Sequence, residues 1–291
     1  MTDVLLATCA ALPRGEPGAS ALDEALSGRG LTAEWVRWDD DGVDWGATAL
    51  VAIRSTWDYV ERRSDFLRWT RDVERRTCLL NGSSAFAWNT DKQYLVELGA
   101  AGVPIVPSIS VDTHADLVPA AAGFDSAVVV KPRVGVGGIG LVEADDADDL
   151  AEHDVGPGPW LVQPVVHSIA TEGELSLFVI DGRVVSAVQK IPAAGGLLVH
   201  EAYGGRTVSA AVDEEAATLA LSCVDTAEGL LSTTLHYARV DLLRHEGELV
   251  VSELEATEPG LYLDVIPENA VPFADLVLRL LGQGSSVVHK P

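Results

Sequence analysis

Apolar positions in this chain recur at two spacings, and the spacings alternate. DVLLAT (residues 3–8) is a short continuous apolar run of strand type. SALDEALSGRG (20–30) carries its apolar residues at helical spacing and closes on glycine, while LTAEWVRW (31–38) and TALVAI (48–53) read as a second and a third strand. From Ser64 to Arg76 the pattern predicts an amphipathic helix, with Phe66, Leu67, Thr70 and Val73 on one face and arginines opposite. Strand, helix and strand in succession imply a parallel, doubly wound sheet of α/β class, whose ligands sit beyond the carboxyl ends of its strands. A first, Rossmann-like domain is therefore expected over residues 1–88, with Trp35, Trp38 and Trp45 in its core.

A second unit begins near Asn89. A helix is expected from Asp91 to about Ala101, closed by Gly102 and followed by a short strand flanked by Pro104 and Pro107. The Ala- and Asp-rich stretch 112–125 precedes the strand SAVVVKP, which ends at Lys131-Pro132; a glycine-rich turn then leads into the β-like run LVEAD. Two hairpins are legible. ELSLFVIDGRVVSAVQK turns at Asp181-Gly182, and YARVDLLRHEGELVVSELEA turns at Glu246-Gly247-Glu248. No internal repeat or low-complexity linker interrupts the 291 residues.

Charge narrows the partners. Forty-four Asp plus Glu against twenty Lys plus Arg leave a formal charge of -24, which repels a nucleic-acid backbone over most of the surface. A polyanionic ligand would need a locally basic pocket, so lysines and arginines beside glycines become informative. Cys9, Cys78 and Cys223 are widely spaced and lack metal-ligand spacing, and no apolar run of about 18 residues crosses a membrane. A cytoplasmic protein is the expectation. The histidines show no H-x-x-x-H spacing; His114, His153, His245 and His289 read as surface residues.

Gly135, Gly137 and Gly140 satisfy G-x-G-x-x-G, but a dinucleotide site needs a helix next, and LVEAD reads as a strand. The same letters with Val142 fit the kinase loop, yet the chain has no H-R-D, no D-F-G and no Walker A sequence. Two readings remain open. The loop is a flexible hairpin laying backbone amides on phosphates, with Lys131 as a point charge, or a tight hairpin with no ligand. The last hairpin is similarly conditional. A three-residue loop, Glu246 to Glu248, sets Asp241 opposite Glu253 and Arg239 opposite Glu255, whereas a two-residue loop puts Asp241 and Glu253 out of phase. In the first case three clustered carboxylates repel unless a cation such as Mg2+ neutralises them; in the second they line a solvated face of an acidic protein.

Lys92 in NTDK, Lys131-Pro132, Gln163-Pro164 ending WLVQP, Glu174 in EGE, Arg239-x-Asp241 and Glu253-x-Glu255 occur in the order found in ATP-grasp enzymes. The resemblance runs from about Asn89 to the C-terminus. It is closest to the glutathione synthetase and ribosomal-protein glutamate ligase branch, where a KIP triplet, here Lys190-Ile191-Pro192, precedes a glycine pair, here Gly204-Gly205. Together RSTWDY, WNTDK, YGG and ELEATEP resemble the group of O-ureido-D-serine cyclo-ligases of the cycloserine pathway. The resemblance implies an ATP-grasp region over 89–291, with a lid subdomain at about 108–163 and an antiparallel-sheet ATP and Mg2+ domain at about 164–291.

It implies roles as well. Lys92 and Lys131, with the glycine flap at Gly135, Gly137 and Gly138, would hold ATP's phosphates. Gln163 with the backbone of Pro164 and Val165 would meet the adenine, and Glu174 the ribose. Asp241, Glu253 and Glu255 would hold two Mg2+ ions, although family members more often carry asparagine at the last position. Arg239, Arg206 and Lys190 would steady the transferred phosphoryl group. Where relatives commonly place an arginine, this chain reads GLLVH, with Leu198 and His200. The implied reaction activates a small amino-acid carboxylate as an acyl phosphate for attack by nitrogen, foremost intramolecular cyclisation of O-ureido-D-serine. An intermolecular amino-acid or peptide ligase and a regulatory protein that has lost turnover are the alternatives. A homodimer or tetramer is expected from the branch. Substrate contacts are sought in Gly204, Gly205 and the strand-end hexapeptide Arg54, Ser55, Thr56, Trp57, Asp58 and Tyr59, with Arg54 facing a carboxylate and Asp58 an amino group. The competing reading of the hexapeptide is a packing corner.

Overall fold

The computed structural model describes residues 2–284; His289 lies outside them. Three sheets organise the chain. The first is parallel, in the order β2-β1-β3-β4, from β1 (Val4–Thr8), β2 (Ala33–Arg37), β3 (Leu50–Ser55) and β4 (Cys78–Leu79). Its central strands read as continuous apolar runs because both faces are covered. Val4, Leu6, Leu50 and Ala52 face the helix Ser20–Ser27, whereas Leu5, Ala7, Val51 and Ile53 face the helix Arg63–Glu74. Trp38 and Trp45 are buried on the second side; Trp35 is half-buried, its ring against Gly15.

The second sheet, β5 (Ile109–Val111), β6 (Val128–Pro132), β7 (Val142–Ala144) and β8 (Trp160–Pro164), is antiparallel in the order β5-β8-β6-β7. The glycine-rich loop joins β6 to β7, which confirms strand, turn and strand there. The third sheet runs β11-β10-β9-β12-β13, from β9 (Glu174–Ile180), β10 (Arg183–Ile191), β11 (Arg206–Ala210), β12 (Tyr237–His245) and β13 (Glu248–Glu255). One face packs on the helix Glu214–Leu231 through Leu177, Val179, Val240, Leu242, Val251 and Leu254. The other face is divided. At one end Phe178, Ile180, Val188 and Tyr237 join Phe273, Ala274 and Val277 of the helix Ala270–Gly284 in a core shared with the first sheet. At the other end the same strands carry charged side chains into a cavity. Their alternation, Tyr237-Arg239-Asp241 against Ala238-Val240-Leu242, explains how one strand serves both.

Several expectations are corrected. Residues 103–108 form no strand: Ile105 makes one isolated bridge to Val251, because Pro104 and Pro107 supply no N–H, and pairing as a strand begins at Ile109. The stretch 112–125 contains a 3₁₀ turn, His114–Asp116, and a short helix, Leu117–Ala121. The helix Ser83–Asn89 and the two-residue β4 were not anticipated. The tip of the last hairpin is two residues, not three: His245 pairs with Glu248 around Glu246-Gly247, both at positive φ. Asp241 nonetheless faces Glu253 and Arg239 faces Glu255, because the register shifts between Asp241 and Leu242. The extra residue is Ser252. This bulge turns Ser252 and Glu253 to the same side and restores the phase that the short loop alone would have lost.

Candidate functional site

The divided face of the third sheet, the glycine hairpin and the ends of the first sheet enclose a cavity of about 690 Å³. Four cations line it: Lys92, Lys131, Lys190 and Arg239. Lys190 lies opposite Glu174 in the β9–β10 ladder, and its Nζ is 2.9 Å from both Glu174 Oε1 and Asp241 Oδ2. Arg239 Nε and Nη2 donate to the two oxygens of Asp241 at 2.8 Å, and Nη2 also donates to Glu255. Lys92 Nζ reaches Glu253 at 2.8 Å and the Gly135 carbonyl at 2.9 Å, tying the helix that follows it to the glycine hairpin. Ser252, the bulge residue, donates to Glu174 Oε2 at 3.1 Å.

Burial sets the electrostatics, and the pairs then decide each sign. Burial alone would raise Asp241, but Arg239 and Lys190 outweigh it and hold the carboxyl well below the usual range. Glu253 is likewise held down, with Lys92 and Lys131 overcoming burial. Glu255 goes the other way: burial pushes it up to about 7 despite Arg239, with Asp241 and Glu253 adding to the rise. Burial lowers Lys131 to about 8, partly offset by Glu253.

Ligand atoms of Asp241, Glu253 and Glu255 all lie within 4.8 Å of one another. Hard oxygen donors on one sheet face suit Mg2+, and without a metal their charge is met by Lys92, Lys190 and Arg239. Gln163, Pro164 and Val165 line the cavity near the hairpin, Gln163 Nε2 donating to Ser108 Oγ at 2.8 Å. Gly137 and Gly138 adopt positive φ, and a Cβ on Gly138 would meet Leu198 at 2.8 Å. Leu198 and His200 thus pack on the hairpin where an arginine was looked for; both line the cavity.

Other candidates fall elsewhere. Arg206 is exposed at the edge strand β11, and neither it nor Gly204 or Gly205 lines the cavity. The strand-end hexapeptide divides. Trp57 and Tyr59 line the cavity; the other four residues do not. Arg54 is fully buried, ion-paired to Glu16 and placed over the rings of Tyr237 and Phe273 at 5.4 and 5.0 Å. Ser55 shares a 2.7 Å hydrogen bond with Thr8, and Thr56 is buried with no hydrogen-bond partner for its hydroxyl. Asp58 accepts from the Trp38 indole at 2.8 Å and from Arg62 at 3.0 Å. Strand-end position did not distinguish a side chain aimed at the cleft from one turned into the wall.

Sequence reasoning missed Glu16, Asn89 and Glu258. Asn89 Nδ2 donates to the Leu254 carbonyl, and its Oδ1 accepts from the Ala256 and Thr257 amides, fixing the chain just beyond β13. Glu16 Oε2 accepts from the Leu261 amide at 3.1 Å while Oε1 meets Arg54, so the loop after Glu258 is strapped to the first sheet. Glu258 lines the cavity, 7% exposed, with burial and Glu255 raising it to about 8. The stretch ELEATEP contains Glu258, but no periodicity marks it for chemistry.

Comparison with known proteins shows the family. Residues 106–264, more than half of the chain, match the RimK-like ATP-grasp domain. This chain belongs to the RimK-like ATP-grasp family. The chain also matches, over residues 4–81, the N-terminal domain of D-cycloserine synthetase DcsG. It is 30% identical over 274 residues to the cycloserine biosynthesis protein DcsG of Streptomyces lavendulae, covering 89% of this chain and 92% of that one. A glutathione synthetase of Prochlorococcus marinus (strain MIT 9313) is 28% identical over 213 residues, covering 70% and 64%. In three dimensions the crystal structure of D-cycloserine synthetase DcsG aligns with a TM-score of 0.81 at 28% identity, covering 96% and 99%. A D-alanine–D-alanine ligase from Bacillus anthracis, TM-score 0.67 at 14% identity over 98% and 100%, shares the fold. The chain is thus an ATP-grasp carbon–nitrogen ligase of the ADP-forming kind, and that fold binds its nucleotide with Mg2+. No described helix is long and apolar enough to cross a membrane.

Proposed function

We propose that this ligase closes O-ureido-D-serine to D-cycloserine at the expense of ATP. The observation that carries the reading is the composition of the wall facing the carboxylate trio. Trp57 and Tyr59 come from the segment that resembles the N-terminal domain of D-cycloserine synthetase, whereas the ATP-side residues are what any member of the family needs. Aromatic rings on a closed wall suit a small amino acid better than an extended peptide.

In this reading Lys92 and Lys131 hold phosphate oxygens under the glycine hairpin, and Gln163 to Val165 line the adenine side. Glu174 reaches the ribose with the lone pairs that Lys190 and Ser252 leave free. Asp241, Glu253 and Glu255 would hold two Mg2+ ions, whose charge would neutralise the phosphates. Charge supports two. Four cations (Lys92, Lys131, Lys190, Arg239) face four carboxylates (Glu174, Asp241, Glu253, Glu255), so the cluster is balanced, and ATP with two Mg2+ enters without disturbing that balance.

The substrate carboxylate attacks the γ-phosphorus, ADP leaves, and Arg239 and Lys190 stabilise charge on the transferring group. The ureido nitrogen attached to oxygen then attacks the acyl phosphate, expelling phosphate and forming the five-membered ring; water removes the carbamoyl group. The hairpin's task is to keep water from the acyl phosphate before closure.

Phosphate release with Mg-ATP and a panel of amino acids tests the proposal. Release with O-ureido-D-serine, and a product with the mass of the ring, is expected. A bimolecular product instead would move the chain to the peptide-ligase reading, and ATP binding without release on any acid would make it a regulator.

A further inference from the structure

One residue of the cavity wall has no part in the reaction as described. Glu258 is more than nine-tenths buried and opens onto the cavity. Every other buried or half-buried carboxylate there is ion-paired: Glu16 with Arg54, Glu174 and Asp241 with Lys190, Glu253 with Lys92, and Glu255 with Arg239. Among the described residues no lysine, arginine or histidine forms an ion pair with Glu258. It also stands outside the trio whose ligand atoms cluster within 4.8 Å, so it is not needed for the metal. The group facing it is the Tyr59 hydroxyl, a neutral hydrogen-bond donor from the first sheet's wall.

A carboxylate taken out of water is strongly disfavoured unless a cation accompanies it. The loop that presents Glu258 is nevertheless rigidly built, held on one side by Asn89 and on the other by Glu16 through the Leu261 amide. A carboxylate with no ion pair of its own (Lys92, which acts on it from across the cavity, is paired with Glu253), a fixed position and an opening to the cavity are the features of a binding group whose partner arrives with the ligand. Asp58, the residue expected from the sequence to take an amino group, is occupied by Trp38 and Arg62 outside the cavity.

We propose that Glu258 receives the α-ammonium group of the amino-acid substrate, with the Tyr59 hydroxyl fixing the carboxylate's orientation. The inference rests on the carboxylate-activating reading above and adds a polarity to the site. The substrate's ammonium end lies against the loop after β13, its carboxylate end points to Lys190, Arg239 and the metal trio, and a free α-amino group becomes a condition of recognition.

The test compares a substrate with its analogue bearing hydrogen in place of the amino group, in the intact enzyme and in Glu258→Gln, by ADP release at saturating Mg-ATP. Loss of the amino group is expected to raise KM roughly thirtyfold or more in the parent enzyme. In Glu258→Gln it should matter less than about threefold, with the KM for ATP unchanged. Glu258→Asp, which keeps the charge, should retain most of the discrimination. Equal discrimination in the parent and in Glu258→Gln, or identical behaviour of the neutral and charged variants, overturns the inference. Failure of the cyclisation reading shows separately. If another amino acid is the one turned over, the same comparison is made with it and its desamino analogue; turnover of desamino acids alone removes Glu258's role outright.

Discussion

Arg54 and Arg239 are both buried, both paired with carboxylates and both set against aromatic rings, yet they belong to different kinds of structure. Arg54 has one ionic partner, Glu16, two guanidinium nitrogens without hydrogen bonds, and rings of the shared core above it. Arg239 divides its donors between Asp241 and Glu255, stands 5.6 Å from the Tyr262 ring centre and borders the cavity. The first pair is closed on itself and joins the parallel sheet to the loop after β13. The second belongs to a network in which Arg239 and Lys190 are each shared between two carboxylates, which a metal and phosphates can enter and rearrange. A buried arginine therefore marks a site when it borders the cavity itself, as Arg239 does, and marks a joint when it lies behind the wall, as Arg54 does although its partner Glu16 lines the cavity.

Removing a carboxylate on the Arg239 side should have the largest effect. Asp241→Asn and Glu253→Gln are each expected to lower the rate of ADP formation by a factor on the order of 10³, since transition-state charge stabilisation by one preorganised group is typically of that size. Circular dichroism should show the fold retained. Ordinary turnover in either variant would remove the metal assignment and, with it, the contrast between the two arginines.

Arg54→Ala probes the other side. Breaking a buried pair by deleting one partner costs about 3–5 kcal/mol, because Glu16 is left as an uncompensated buried charge. The expected outcome is a lowered unfolding midpoint in denaturant with an unchanged KM for ATP in the protein that remains folded. A large rise in amino-acid KM with unaltered stability would return Arg54 to the substrate.

These two variants also measure what the sequence could convey. The continuous apolar run TALVAI and the alternation of YARVDLL placed their strands correctly because both patterns are local. The carboxylate pairing was expected only for a three-residue tip and its loss for a two-residue tip, whereas a two-residue tip with a bulge at Ser252 gives the same neighbours, and a bulge leaves no mark in hydrophobic periodicity. The direction of Arg54 was illegible because its partner, Glu16, is 38 residues away in an irregular loop. Glu258 escaped for the same reason: its meaning lies in the absence of an ion pair, which only the assembled wall reveals. The site roles carried by the family resemblance gather around one cavity except Arg206, Gly204 and Gly205, which sit at or near an exposed edge strand.

A smaller effect should appear in the pH dependence of nucleotide binding. Burial lowers Lys131 to about 8, so its ammonium is charged at pH 7 and loses its proton as the pH passes 8. Phosphates favour the charged form, and binding above that value must take up a proton. Mg-ATP affinity is thus expected to weaken as pH rises through 8, by at most about tenfold per pH unit. Calorimetry from pH 6 to 9 follows this directly. Lys131→Arg, which stays protonated throughout, should flatten the alkaline side of the profile; an alkaline fall unchanged in Lys131→Arg would exclude Lys131 as the titrating group.

The least change is expected where the chain departs from its relatives. Glu255 stands where the family resemblance of the sequence leads one to expect asparagine, and both side chains offer an oxygen to a metal and to Arg239. Glu255→Asn removes one negative charge from a cluster in which burial, Asp241 and Glu253 already disfavour that charge, so little is lost by neutralising it. Turnover at saturating Mg2+ should fall less than about tenfold, while the Mg2+ concentration for half-maximal rate rises, because one charge attracting the ion is gone. A loss as large as that of Asp241→Asn would mean that Glu255 acts as more than an oxygen donor. The balance struck by Arg239 between its two carboxylates would then be the feature that separates this site from the closed joint at Arg54.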